Sequence, residues 1–299
     1  SDDSLVYMSE DDFRNLFNVP NRVDQIIIQV KPGEDIKKVA DNTKRKLMNF
    51  PSKEQIKEWF KDKDNLLLLL IILIGAVIRL YYYNMNSAVW WDESEYLSTA
   101  KSFAFGTAYD IGSQRLPLVP FLGSILLTLG FGEMGLRFFL VLIPSIVVIY
   151  LFYLLGTSLY NKKTGLIAAF LVSTFWVAIF NTNRFHTDMF AFMLWLIGYY
   201  FFWNGYMQKK SKIQTALILP IFALAFLTRS STLIVFVPLF IFILMTEKLN
   251  FLRSKELWIG IILGILVATP YLIWSHNHYG NTLAFTTGYS GRTEANPIA

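Results

Sequence analysis

The sequence predicts an all-α polytopic membrane protein with about seven transmembrane helices and a small N-terminal α/β segment. Of the 299 residues, 54% are hydrophobic and only 16% are charged, which is below the roughly 25% charged residues of soluble proteins. The hydrophobic residues form runs long enough to cross a bilayer, and lysines are concentrated in the loops between these runs. The chain has no cysteine, so disulfides and thiol catalysis are excluded.

The first 47 residues differ in character from the rest of the chain. Residues 22–30 ("RVDQIIIQV") alternate like a strand, a Pro-Gly turn follows, and residues 34–47 form a charged helical pattern. The stretches "VYMSEDDFRNLF" and "VDQIIIQVKPGEDIKKVADNTKRKL" resemble part of the extracytoplasmic domain of MacB-like ABC transporter permeases. We therefore expect two domains, residues 1–47 and 48–299. We interpret the first as a fusion remnant without a part in the chemistry, and an ordinary cytoplasmic cap is the alternative.

Seven apolar runs have about the length that a helix needs to cross the hydrocarbon core, roughly 20 residues. In chain order they are residues 66–83, 138–160, 165–180, 189–206, 213–228, 232–246 and 258–274. An eighth run, residues 116–131, contains Pro117 and Pro120, which disfavour a regular helix interior. We expect this run to form a juxtamembrane or re-entrant helix in the first outer loop.

The distribution of lysine and arginine predicts the orientation of the chain. Basic residues precede the first span and follow the second, fourth and sixth, and they include Lys61, Lys162, Lys209 and Lys248. By the positive-inside rule these loops are cytoplasmic, provided that the eighth run does not cross. The same distribution assigns the net charge of +5 to membrane topology, so we expect no nucleic-acid partner. The protein is predicted to be a multi-pass protein of the cell membrane, with its active site on the extracytoplasmic face.

Two groups of ionisable residues fall on the predicted outer side. In "WWDESEYL", Asp92 and Glu93 follow the first span, and in "NRFHTDMFAFM", His186 and Asp188 precede the fourth. Ionisable groups at membrane depth are costly and usually have a partner or a task. A divalent metal bound by Asp188 and His186, with Asp92 and Glu93 nearby, is one interpretation. The alternative is structural, because Asp92 and Asp188 could each be a helix N-cap, with Glu95 closing a capping box for Asp92.

Several arginines complete the outer side. Arg229 ends the fifth span in "LAFLTRSST", where its planar guanidinium either binds a phosphate or extends to the interface. Arg184 is a second candidate for binding a phosphate. Arg115, Arg137 and Glu133 are expected to pair with neighbours or to orient the first outer loop.

The segments "WWDESEYL", "RLPLVPFLGSILLTLGFGEMGLRFF", "NKKTGLIAAFLVS", "NRFHTDMFAFM" and "LAFLTRSS" resemble, in this order, the N-terminal half of GT-C superfamily glycosyltransferases. The most similar branch contains dolichyl-phosphate-mannose protein mannosyltransferases, lipid A aminoarabinose transferases and RgtA/B/C/D-like enzymes, and the resemblance covers residues of about 50–290. Such enzymes usually continue with further spans, so we expect the chain to be C-terminally truncated.

The resemblance implies transfer of a sugar from a polyprenyl-phosphate donor to an extracytoplasmic protein, lipid or glycan. It makes Asp92, with Glu93 beside it, the catalytic base, and it places Asp188 and Arg229 at the family's second acidic and later basic positions. Polyprenyl phosphate leaves readily, so one carboxylate acting as base is sufficient, and in-line attack inverts the anomeric carbon. A divalent metal ion, membrane lipids and the donor are the expected ligands. A polytopic transporter or permease component is the alternative function.

Overall fold

The computed structural model describes residues 5–6, 28–29, 53–83, 85, 89–109, 112–113 and 115–287. The chain divides into two units, Ser1–Leu66 and Leu67–Ala299. In the first unit, the strand Leu5–Val6 pairs antiparallel with Ile28–Gln29, which lies within the predicted strand. The helix predicted for residues 34–47 lies outside the described residues.

All regular elements described between residues 53 and 287 are helical, which confirms the predicted all-α class for this part. The α-helices are Lys53–Lys61, Lys63–Tyr82, Trp91–Phe105, Leu118–Thr128, Glu133–Arg137, Ile143–Leu159, Lys162–Thr174, Trp176–Phe180, Asp188–Phe201, Lys212–Thr228, Phe236–Glu247, Lys255–Tyr279 and Ala284–Thr287. The π-helical turns are Phe138–Leu142 and Phe202–Met207, and the 3₁₀ turns are Asn181–Asn183, Ser230–Val235 and Asn250–Arg253.

Among the described residues, four helices are long and apolar enough to cross a membrane, or five if one bent pair counts as a span. The four are Lys63–Tyr82, Glu133–Leu159, Ser230–Glu247 and Lys255–Tyr279, and the bent pair is Lys162–Thr174 with Trp176–Asn183. The chain is therefore a membrane protein, but the predicted seven spans are not shown. The two other predicted spans are helical. Lys212–Thr228 has only 17 residues, and Asp188–Met207 joins a 14-residue α-helix to a π-helical turn of 6 residues.

The bent pair, with an angle of 51° between its halves, breaks beside a buried arginine of the first span. The Arg79 guanidinium donates hydrogen bonds to the carbonyls of Ser173 (2.8 Å) and Val172 (3.2 Å), at the end of the first half. Its Nε donates to Ser145 Oγ at 2.6 Å. A helix end leaves carbonyl groups without intrahelical partners, and a cation placed there satisfies them and complements the helix dipole. Arg79 therefore stabilises the break that precedes residues 181–188, which are called the second loop.

The second loop packs in one hydrophobic core with the segment between the first two candidate spans, which is called the first loop. Tyr96 and Leu97 of the helix Trp91–Phe105, called the first-loop helix, are buried in the same cluster as Val119 of the short helix Leu118–Thr128 and Phe185 of the second loop. The short helix has 11 residues and lies where the sequence predicted a run that does not cross. This core fixes the position of residues 91–97 relative to residues 184–189, on which the candidate site is built.

Candidate active site

A polar cavity of about 230 Å³ lies where four segments of the chain meet, one of which holds Arg115 and Leu116 just before the short helix Leu118–Thr128. The first-loop helix contributes Asp92, the second loop contributes His186 and Asp188, and the end of the helix Lys212–Thr228 is followed by Arg229. Four of the six residues predicted for the site therefore line one cavity. The remaining two, Glu93 and Arg184, are not part of its lining.

Asp92 lies in the first turn of the helix Trp91–Phe105, and its side chain is 46% exposed. The interpretation of Asp92 as an N-cap with Glu95 is wrong, because the helix begins at Trp91, one residue before Asp92, and Trp90 occupies the cap position. The side chain of Glu93 instead accepts a hydrogen bond from the Trp90 amide at 3.0 Å. Asp92 therefore does not cap the helix, and its side chain lines the cavity.

Arg115 joins two carboxylates of the first-loop helix. Its Nη2 donates a hydrogen bond to Asp92 Oδ1, and its Nε donates to Glu95 Oε2 at 2.7 Å. The sequence predicted that Arg115 pairs with a neighbour, but no spacing indicated which one. The hydrogen bond from Arg115 lowers the pKa of Asp92 below its ordinary value, while partial burial acts in the opposite direction.

Asp188 and Arg229 form a second ion pair on the same cavity. Asp188 Oδ1 accepts a hydrogen bond from Arg229 Nη1, and Arg229 Nε donates to Ser231 Oγ at 3.2 Å. The two side chains are 35% and 47% exposed, so both remain accessible from the cavity. Arg229 therefore turns toward the site, which distinguishes it from an arginine that only extends to the membrane interface.

His186 lies beside Asp188, with 3.7 Å between its Nδ1 and Asp188 Oδ2. Burial lowers the pKa of His186, against the opposing effect of Asp188, Glu93 and Asp92. Its Nε2 is buried and has no hydrogen-bond partner among the described residues. The histidine is therefore held in its neutral form at neutral pH.

Glu93 is fully buried and connects the first and second loops. Its Oε1 accepts a hydrogen bond from the Phe185 amide at 2.8 Å, and its Oε2 accepts from the Trp90 amide. Arg137 Nη2 lies 3.8 Å from Oε2 and also pairs with Glu133 at 2.6 Å, as the sequence expected for Arg137 and Glu133. The structure thus places Glu93 beside the cavity as a support for its walls.

Arg184 is buried and stacks on aromatic rings. Its guanidinium carbon lies 3.4 Å from the centre of the Trp90 ring and 4.8 Å from that of Phe180. Burial lowers the pKa of Arg184. In this position the guanidinium makes a cation–π contact and lies outside the lining of the polar cavity, and the binding of a phosphate by Arg184 stays a prediction.

The residues named for a metal ion do not form a ligand cage. Among the described residues, no group of three or more histidine, aspartate or glutamate side chains is placed to hold a metal. Asp92 and Asp188 are paired with arginines, and both oxygens of Glu93 accept backbone hydrogen bonds. The donor set of the described residues does not fit a resident metal ion, and metal dependence stays a prediction.

Comparison with protein families identifies the chain. Residues 114–274 match the family described as dolichyl-phosphate-mannose-protein mannosyltransferase. The chain belongs to this family. Membership confirms the predicted GT-C resemblance and makes the chain a glycosyltransferase of the kind that uses polyprenyl-phosphate-linked sugars.

The matched stretch of the mannosyltransferase family includes Arg115, His186, Asp188 and Arg229, whereas Asp92 precedes it. Comparison with curated proteins gives no match. The roles of individual residues therefore rest on the geometry of the cavity.

Proposed function

We propose that the chain transfers a sugar from a polyprenyl-phosphate donor to an extracytoplasmic acceptor, with inversion at the anomeric carbon. The name of the family makes mannose the first sugar to test and protein the first acceptor. The observation that carries the proposal is the placement of Asp92 and Arg229 on one polar cavity, because the reaction needs a base and a cation within reach of one anomeric centre.

Asp92 is the proposed general base. The acceptor hydroxyl attacks the anomeric carbon, its proton passes to Asp92, and the bond between this carbon and the phosphate oxygen breaks. Polyprenyl phosphate leaves with the electron pair of that bond and needs no acid to protonate it. One carboxylate is thus sufficient, in contrast to the pair that glycosidases use. Single displacement gives inversion.

Arg229 is the proposed cation for the donor phosphate. Negative charge increases on the phosphate as the glycosidic bond breaks, and a guanidinium offers two parallel hydrogen bonds to such an anion. Arg229 is half exposed to the cavity, and Asp188 orients it. The same position would let it stabilise the departing phosphate.

A second, apolar cavity supports a lipid-linked donor. Its volume is about 590 Å³, and its lining includes Phe103, Pro117, Leu227 and Tyr271. Pro117 directly follows a residue that lines the polar cavity, and Leu227 directly precedes another. A ligand with a charged phosphate and an apolar chain would therefore find a complementary environment for each part.

Glu93 and Arg184 are proposed to support the site without reacting. Glu93 holds the second loop at Phe185, one residue before His186. Arg184 holds Trp90, two residues before Asp92, by stacking. Both would affect catalysis by holding the segments that line the cavity in their positions relative to one another.

The orientation proposed for the membrane has seven spans, with the lysine-rich loops in the cytoplasm and the cavity outside. The helices Asp188–Met207 and Lys212–Thr228 supply the two spans beyond the five candidates. The support is the lysine asymmetry, together with the position of Asp92, Asp188 and Arg229 at the opposite helix ends.

Residues 1–47 are proposed to take no part in transfer. All the residues of the cavity come from the second unit of the chain. A chain that begins at Met48 should therefore keep the activity of the longer one in the same membranes, and a large loss without misfolding would contradict this assignment.

The test of the function is transfer of radiolabelled mannose from polyprenyl phosphate mannose in membranes that contain the full chain. We expect label to appear covalently in a protein, lipid or glycan fraction, with the opposite anomeric configuration to that in the donor. Label that crosses the membrane while it remains on the donor would instead support a transporter. Membranes without the chain provide the background.

A further inference from the structure

Arg115 is a charged residue of the polar cavity that has no role in the reaction proposed for Asp92 and Arg229. It lines the polar cavity together with Arg229, and it comes from the segment just before the short helix Leu118–Thr128. Its guanidinium bridges Asp92 and Glu95, which lie one helical turn apart on the first-loop helix. The proposed base is therefore in an ion pair when the donor is absent.

The two carboxylates hold Arg115 unequally. The side chain of Glu95 is only 6% exposed and also accepts a hydrogen bond from Trp91 Nε1 at 2.9 Å. The side chain of Asp92 is 46% exposed and opens onto the cavity. An incoming anion can thus replace Asp92 as the partner of Arg115, while Glu95 remains a fixed anchor for Nε.

The charges of the cavity favour such an exchange. The two aspartates, Asp92 and Asp188, are each paired with an arginine before the donor enters. A phosphodiester brings one additional negative charge, and the phosphate monoester that leaves after transfer carries about −1.5 to −2. A second guanidinium matches this increase, and guanidinium binds phosphate through two parallel hydrogen bonds.

We propose that Arg115 is a second ligand of the donor phosphate and that it releases Asp92 when the phosphate enters the cavity. This inference rests on the transfer reaction proposed above. Asp92 is then free to accept a proton only while the donor is bound. Release also raises the basicity of Asp92, because the hydrogen bond from Arg115 is the largest of the effects that lower its pKa in the resting site.

The test is a double-mutant cycle on phosphate binding, in which no sugar is transferred. The probe is a short-chain polyprenyl phosphate, and its Kd is measured by calorimetry with the detergent-solubilised full chain. Asp92→Asn removes the competitor for Arg115, so it should tighten binding by about tenfold, the size of one charge-assisted hydrogen bond. In the Arg115→Gln background the same Asp92→Asn change should leave the Kd within about twofold, because there is no guanidinium to release.

Simple removal of negative charge gives a different pattern. If Asp92 acts only through its charge, Asp92→Asn tightens binding equally with and without Arg115, and this result would overturn the proposal. Unchanged binding by Asp92→Asn alone would overturn it as well. Glu133→Gln is the matched control, since Glu133 pairs with Arg137 and does not line the cavity, and it should leave the Kd unchanged.

Two further arrangements keep the result interpretable. If Arg115→Gln does not purify as a folded protein, Arg115→Met provides an uncharged side chain of similar length for the same cycle. Transfer by the unmodified chain is measured separately. If Asp92→Asn tightens phosphate binding equally with and without Arg115, and the unmodified chain transfers sugar, only the exchange is rejected. If Asp92→Asn tightens binding only when Arg115 is present, and the unmodified chain transfers no sugar, the proposed function is rejected and Arg115 is supported as a phosphate ligand.

Discussion

The backbone amide of Phe185 donates a 2.8 Å hydrogen bond to Oε1 of Glu93, a fully buried carboxylate that lies 92 positions earlier in the chain. Because Oε2 of the same residue accepts from the Trp90 amide, one side chain holds both the first and the second loop. The immediate neighbours, Asp92 and His186, face the cavity. The geometry of the site therefore depends on a residue that does not line it.

Glu93→Gln should destabilise the protein, because an amide offers one acceptor oxygen where two backbone donors need partners. We expect a loss of about 1–3 kcal/mol in the free energy of unfolding, the cost of a buried donor left without a partner. Thermal unfolding of the purified chain in detergent measures it, with Asp92→Asn as the control that should unfold at nearly the wild-type temperature. Equal unfolding temperatures for wild type and Glu93→Gln would contradict the supporting role.

The apolar runs predicted the helices well, because burial in a membrane demands long hydrophobic segments whatever the tertiary structure. The run 258–274, for example, lies inside Lys255–Tyr279. The sequence could not predict that Asp92 lines the cavity while Glu93 is buried behind it, since this difference depends on the helix starting at Trp91. Aspartate is a better N-cap residue than tryptophan in general. Here the hydrogen bonds of Glu93 to the Trp90 and Phe185 amides favour a helix that begins at Trp91 instead.

The sequence also could not predict which residues Arg184 and Arg115 contact. Arg184 and His186 lie two residues apart in one loop, yet only His186 lines the cavity. Arg115 meets Asp92 across 23 positions of chain, and no periodicity indicates such a contact. The sequence showed only that Arg115 lies in the same loop as Asp92, between the first and second predicted spans.

The two arginines predicted to bind phosphate should now differ on substitution by lysine. Arg229→Lys keeps the charge but loses the paired hydrogen bonds, so we expect the KM for the donor to rise by about tenfold, or roughly 1–2 kcal/mol. Arg184→Lys should leave this KM within about twofold, because Arg184 stacks on Trp90. Steady-state kinetics on both variants gives the comparison. Similar increases in the donor KM for both variants would support Arg184 as a phosphate ligand.

The stability of the protein should depend on His186 at mildly acidic pH. Burial lowers the pKa of His186 in the folded state below its ordinary value of 6.5, so the unfolded chain binds this proton more readily. Stability is therefore fully present above the unfolded pKa and is lost as pH falls through it toward the folded pKa. The difference in Tm between wild type and His186→Gln, measured from about pH 8 to pH 5, should move against the wild type on acidification. A shift in favour of the wild type would instead show a protonated His186 paired with Asp188.

The proposed orientation can be tested with single cysteines, because the chain has none of its own. Lys162→Cys and Lys248→Cys should be protected from a membrane-impermeant maleimide in intact cells, whereas Thr107→Cys should react. All three positions are exposed in the structure, so burial would not explain a difference. Labelling of Lys162→Cys and Thr107→Cys from the same side would contradict the orientation.

Asp92 accepts the proton of the acceptor in the proposed reaction, and sugar transfer by Asp92→Asn tests this role most directly. Asparagine has nearly the same shape but cannot take up this proton. Transfer of labelled mannose should therefore fall by about 10²- to 10⁴-fold, the range typical of general-base loss, while polyprenyl phosphate binds at least as tightly as before. Glu93→Gln should lose less activity than this. Full transfer by a well-folded Asp92→Asn chain would contradict the assignment of the base.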